Sequence, residues 1–201
     1  MKNVIIVEDV KNIREGLRTL IDTSTSFKCV DTFESFESFE SKFNKNIAHI
    51  ILIDIDLPGI SGIEGIKKIK RISQNNIIIV LTVHEESERV FEAISVGASN
   101  YLVKNTPADK MINILEDAAD GKVLMSSFIA RKTMECFRKK NSLNKLNNNE
   151  VDILKKITEG NSLIAIEKSL SMSTDDIKTS FHNIYVKLFE NGNNNILRVE
   201  N

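Results

Sequence analysis

A chain of 201 residues with 41% hydrophobic side chains is long enough for one large domain or two small ones and can fill a real core. Lysine and arginine number 27 against 28 aspartate and glutamate, an ordinary balance for a soluble globular protein. The opening MKNVIIVEDV has only a short apolar run between charges, unlike a signal peptide and far short of the about 20 apolar residues of a membrane span, so a cytoplasmic protein with no membrane partner is expected.

Short β-branched runs at 4–7, 27–33, 50–53, 77–81 and 101–103 predict five strands. Between and after them apolar residues recur at helical spacing: Ile13, Leu17, Leu20 and Ile21; Phe36, Phe39 and Phe43; Ile63, Ile66 and Ile69; Val90, Ala93 and Ile94; Met111, Ile114, Leu115 and Ala118. Five strands alternating with five helices predict an α/β unit over residues 1–121, with a parallel sheet covered on both faces. Cys29 and Cys136 lie far apart, with no CxxC and no histidine at ligand spacing, and read as ordinary buried thiols.

In such a fold ligands bind at the carboxyl ends of the strands. The first strand ends in Glu8-Asp9, the third in Asp54, the fourth in Thr82 and the fifth in Lys104. Each alone reads as a turn or cap residue. Together they gather three carboxylates at one sheet edge, where mutual repulsion raises at least one pKa unless a cation intervenes. Mg²⁺ suits the place, since it takes oxygen ligands and combines one or two carboxylates with phosphate oxygens. A carboxylate beside that ion can attack phosphorus to form an aspartyl phosphate. Such a transfer needs an ammonium and a hydroxyl around the phosphoryl oxygens, and Lys104 and Thr82 are of the right types.

Through VIIVED, LIDIDLPGISG, VLT and GASNYLVK, in that order and spacing, residues 1–121 resemble the receiver domain of a bacterial two-component response regulator. The resemblance implies a flavodoxin-like doubly wound five-stranded parallel sheet, that Asp54 is the phosphoacceptor, that Glu8, Asp9, Asp54 and the backbone carbonyl of Asp56 hold Mg²⁺, and that Thr82 and Lys104 contact the phosphoryl group. It implies a sensor histidine kinase as partner and Tyr101 as the aromatic that turns inward on activation; the plainer reading of Tyr101 is a half-buried strand residue. His84 is expected to be a loop residue. Many receivers place proline directly after the lysine, often with a cis bond. Here Asn105 follows, and no cis bond is assumed.

Residues 122–145 carry 7 basic and 1 acidic side chains, between a leading part with 14 against 19 and a closing part with 6 against 8. This basic connector predicts a helix capped by Ser126, with Ile129, Thr133, Cys136 and Phe137 on one side and Arg131, Lys132, Arg138, Lys139 and Lys140 outside, followed by a linker near 141–147. Beyond it, Asn147 and Glu150 form a capping box for a helix ended by Gly160, Ser162 opens a short second helix to Leu170, and Ser173 with Asp176 caps a longer third. Short helix, tight turn and longer helix make a helix-turn-helix.

Residues 146–201 resemble the DNA-binding domain of LuxR/NarL-class regulators, through LNNNEVDILKKITEGNS and DIKTSFHNIYVKL. By that resemblance Lys178, Thr179, His182 and Lys187 are the candidate DNA contacts, and Lys155, Lys156 and Lys168 could supply further phosphate contacts. The departures are Asn147 to Asn149 for a Thr-Pro-Arg-like start, Glu167 for alanine, few basic residues near 180–182, and Asn193 to Asn195 for an Arg-Thr pair. Affinity for DNA comes largely from lysine and arginine on phosphates, and this part is slightly acidic. The favoured expectation is therefore a transcription regulator that dimerises on phosphorylation and reads double-stranded DNA through its third C-terminal helix. One alternative is a receiver-controlled interaction or dimerisation module whose helix-turn-helix has lost DNA binding. A remote one is a haloacid-dehalogenase-type phosphatase, whose Asp-x-Asp strand normally comes first and not, as here, after Glu8-Asp9.

Overall fold

The computed structural model describes residues 1–43, 48–84 and 87–193. Five strands, β1 (Lys2–Val7), β2 (Phe27–Phe33), β3 (Ile50–Asp54), β4 (Ile77–Thr82) and β5 (Asn100–Val103), form one parallel sheet in the order β2-β1-β3-β4-β5. Helices α1 (Lys11–Thr23), α2 (Phe36–Lys42), α3 (Gly62–Ile72), α4 (Glu88–Ser95) and α5 (Ala108–Ala119) alternate with them. The order reverses between β1 and β3, so the crevice for a ligand opens beside Asp54.

The apolar runs make strands buried on both faces. On one face Val4, Ile6, Ile50, Leu52 and Leu81 pack against Leu17 and Ile21 of α1 and Leu115 of α5. On the other, Ile5, Val7, Ile51, Ile53 and Val80 meet Phe36 and Phe39 of α2, Ile66 and Ile69 of α3, and Val90 and Ile94 of α4. Gly62, at the start of α3, is required by proximity: a Cβ there would stand 2.0 Å from the Asp54 carbonyl oxygen.

Among the described residues four more helices follow: α6 (Ser127–Lys139), α7 (Asn148–Thr158), α8 (Leu163–Leu170) and α9 (Thr174–Asn193). Ser126 caps α6, Asn147 and Glu150 close a reciprocal capping box on α7, and Gly160 ends that helix at φ +81°. Ser173 and Asp176 hydrogen-bond each other's backbone N–H at the start of α9. The stretch 141–147 is not a loose tether, because it holds a 3-10 turn (Leu143–Lys145) and buries Ser142 and Leu146. Cys29 is buried as expected; Cys136, on the flank of α6, is partly exposed. Among the described residues no peptide bond is cis and no helix is long and apolar enough to cross a membrane. Asn194 and Asn195, noted in the sequence, lie outside the described residues.

The helical part rests on the receiver side. Helix α9 packs on α4, and Phe189 lies over the backbone of Gly97 in the turn after α4. Asn100, fully buried, accepts hydrogen bonds from Tyr101 N (2.9 Å) and from Leu124 N (3.2 Å), and the Tyr185 hydroxyl of α9 donates to the Leu124 carbonyl at 2.5 Å. These contacts fasten the segment between α5 and α6 at Leu124, by its N–H on one side and its carbonyl on the other.

Candidate phosphoacceptor site and nucleic-acid face

The strand termini converge. Glu8 follows β1 with no exposure, and Asp54 ends β3 at 2%. The Lys104 ammonium, just after β5, donates to Glu8 Oε1 at 3.0 Å and Asp54 Oδ2 at 2.9 Å. Glu8, Asp9 and Asp54 each bring a carboxylate oxygen within 4.8 Å of the others. Val10 N donates to Glu8 Oε1 at 3.2 Å and Asp56 N to Asp54 Oδ1 at 3.2 Å, so the following loops also face the carboxylates. The Arg14 guanidinium bridges the Glu8 and Asp9 carbonyls at 2.6 and 3.0 Å, fixing the turn that carries both acids.

Charge in this pocket is out of balance. Three carboxylates gather around one ammonium, an excess of acid that suits a divalent cation. Burial pushes the Glu8 pKa up, opposed by its hydrogen bond to Lys104 and reinforced by the Asp54 charge. Burial alone would lower the Lys104 pKa, but hydrogen bonds to Glu8 and Asp54 outweigh it and the pKa is raised. Glu8 Oε2, buried, makes no hydrogen bond although Nζ lies 2.8 Å away. The carboxylate oxygens of Glu8, Asp9 and Asp54 make an all-oxygen donor set, which fits a hard cation of the Mg²⁺ kind.

Thr82, 4% exposed, donates from its hydroxyl to the His84 carbonyl (3.1 Å) and accepts from His84 N (3.2 Å), so it holds the loop after β4. Tyr101 is 2% exposed on β5. The Asp56 side chain does something its sequence position did not disclose: it forms an ion pair with Arg89 in the first turn of α4. Arg89 also donates to the Ile55 carbonyl at 3.1 Å. Glu37 of α2 was likewise missed; it accepts from Ile60 N at 2.9 Å and braces the turn after Asp56.

The candidate DNA contacts are placed very differently. Lys178 pairs with Asp117 of α5, and Lys187 lies 2.7 Å from both carboxylate oxygens of buried Glu150. His182 is half-buried against the receiver, its pKa lowered by burial and by the Lys70 charge. Thr179 is exposed, with its hydroxyl turned back to the Asp175 carbonyl at 2.8 Å. Lys155 and Lys168 are exposed and Lys156 is partly so. Glu167 of α8 accepts a hydrogen bond from Thr174 at the start of α9, which ties the two helices together.

Comparison with known proteins agrees with this architecture. The response regulator receiver domain family matches residues 4–116. The transcriptional regulatory protein YdfI of Bacillus subtilis is 30% identical over 195 residues, covering 95% of this chain and 91% of YdfI. A nitrate/nitrite response regulator protein homolog of Haemophilus influenzae is 26% identical, covering 92% of this chain and 89% of its own. The solved two-component response regulator RcsB in a DNA complex shares the fold, with TM-score 0.59 over 98% of both chains at 23% identity. The chain belongs to the response regulators, as a receiver-controlled transcriptional regulator of the NarL/LuxR type.

Proposed function

We propose that Asp54 accepts a phosphoryl group from a sensor histidine kinase, and that the phosphorylated protein dimerises and controls transcription by binding double-stranded DNA through α9. The observation that carries the first part is the buried Asp54 carboxylate, held 2.9 Å from the Lys104 ammonium beside two further acids. Glu8, Asp9, Asp54 and the Asp56 carbonyl would hold Mg²⁺, which when bound supplies positive charge to the phosphoryl oxygens. An Asp54 oxygen attacks the phosphorus of a phosphohistidine; the O–P bond forms, the P–N bond breaks, and its electron pair stays on the imidazole nitrogen. Lys104 keeps Asp54 ionised and oriented, then neutralises part of the added charge. Thr82 reaches the phosphoryl oxygens only by giving up the His84 carbonyl, so the loop after β4 must rearrange as the group arrives. Chemistry on this chain is confined to forming and losing its own aspartyl phosphate.

Treatment with acetyl phosphate and Mg²⁺ followed by phosphate-affinity gel electrophoresis is expected to give a shifted band that Asp54→Ala abolishes. An undiminished shift in that variant refutes the assignment.

The closed arrangement, in which Lys178 is spent on Asp117, favours a resting state with weak DNA affinity. The same engagement of Lys178 and Lys187 also suits the reading in which the helical domain serves protein contacts only. Mobility-shift assays with random genomic fragments at low salt separate the two, and no shift with the phosphorylated protein leaves only the second.

A further inference from the structure

In the loop just after Asp54, an arginine from another element makes contact. Arg89 stands in the first turn of α4, where Ser87 accepts a hydrogen bond from its backbone N–H at 3.2 Å. Its guanidinium touches both residues that follow Asp54, the Ile55 carbonyl at 3.1 Å and the Asp56 carboxylate by ion pairing. The side chains of that pair are 48% and 52% exposed, and a pair so exposed holds weakly. A doubly charged phosphoryl group is a stronger partner, since guanidinium binds phosphate oxygens through two parallel hydrogen bonds.

Helix α4 is also where the two halves of the molecule meet. The residue before Arg89, Glu88, pairs with Lys132 of α6. Val90, Ala93 and Ile94 are wholly buried, α9 packs on the same helix, and Phe189 covers the turn at its end. A pull on the first turn of α4 is therefore felt at α6 and α9.

Resting on the assignment of Asp54 as acceptor, we propose that Arg89 is the residue that couples the site to α4: on phosphorylation its guanidinium leaves Asp56 for the phosphoryl oxygens, and α4 moves with it. Thr82 reaches α4 only through the loop after β4, whereas Arg89 is part of the helix itself. Asp56 then has a second use, as the resting partner that parks the arginine within reach.

Hydrogen exchange on the full chain, before and after acetyl phosphate with Mg²⁺, tests this in wild type, Arg89→Ala and Arg89→Lys, compared at equal phosphorylated fractions read from the gel. In wild type, phosphorylation is expected to raise exchange in peptides of α4 and α9 at least threefold. In Arg89→Ala that response falls to under a third of the wild-type change, and Arg89→Lys restores at least half of it. A full wild-type response in Arg89→Ala overturns the proposal. So does an Arg89→Ala protein that exchanges like phosphorylated wild type before treatment, because the arginine is then a restraint and not a carrier. Failure of the underlying assignment is seen separately, as a wild-type gel with no Asp54-dependent band, and it removes the proposal with it.

Discussion

The receiver pocket and helix α9 use charge in opposite ways. In the pocket, carboxylates outnumber cations, Glu8 and Asp54 are buried while Asp9 is open to solvent, and the imbalance is the property a phosphoryl site needs. On α9, the lysines named as DNA contacts are matched by acids of the same chain, Asp117 for Lys178 and Glu150 for Lys187. A site built with unspent charge is ready to react. A site with its charge already matched must first be released, so the difference separates the part that receives a signal from the part that waits for it.

The contrast is broken most severely by Lys104→Met, which leaves Glu8 and Asp54 facing each other without a counter-charge. Removing one member of a buried pair costs about 3 kcal/mol or more, and urea denaturation at neutral pH is expected to show a loss of that order. The raised Lys104 pKa means that its stabilisation is complete at neutral pH and fades only as pH climbs through the raised value. In the variant the deficit should shrink as pH falls, because Glu8, whose pKa is already raised, then takes up a proton.

A smaller change sharpens the other side. Asp117→Asn frees Lys178 without altering the helical domain, and the pair is of the kind worth under about 1 kcal/mol. Titration of a labelled duplex at fixed low salt is expected to show the unphosphorylated variant binding about threefold more tightly, with Lys178→Ala moving the other way. Equal affinity in both variants would detach Lys178 from DNA binding.

The smallest effect falls between the two regions, where His182, Tyr185, Phe189 and Glu190 of α9 line a cavity with Lys70 and Asn76. The Lys70 ammonium donates to the Gln74 and Asn76 carbonyls at 3.0 and 2.9 Å, and burial lowers its pKa to about 8. A histidine with a lowered pKa contributes stability above its ordinary value and loses it as pH falls through the lower one. Acidification should therefore loosen α9 from the receiver, seen as faster proteolytic cleavage in α9 at about pH 5 than at about pH 8, and His182→Gln should flatten the difference.

Glu8, Asp9, Asp54, Thr82 and Lys104 were legible because a parallel sheet sends every strand's carboxyl end to the same edge. Once the β-branched runs are recognised, the residues after them are neighbours whatever their separation in sequence. The α7 and α9 caps were equally plain, since a capping box is a local pattern. Arg89 was not legible: nothing in the helical period of α4 says that its second residue lies beside the loop after β3. The same holds for Lys178 and Asp117, 61 positions apart, and for the bracing of Ile60 by Glu37. Pairings across elements depend on how helices are set against one another, and one chain's periodicities do not encode that.

The apolar cluster on the α4 side of the sheet runs on through Val123, Ile129 and Phe137 into Ile153, Ile166, Phe181 and Leu188. A chain of this design is a poor source of interchangeable parts. A receiver cut out after α5 would carry a greasy scar where α9 had rested, and a foreign output domain joined there would have to bring its own cover for α4. Descent with shuffling would then favour moving the two halves as one piece, with the segment from Val123 to Leu146 travelling between them as a fitted joint.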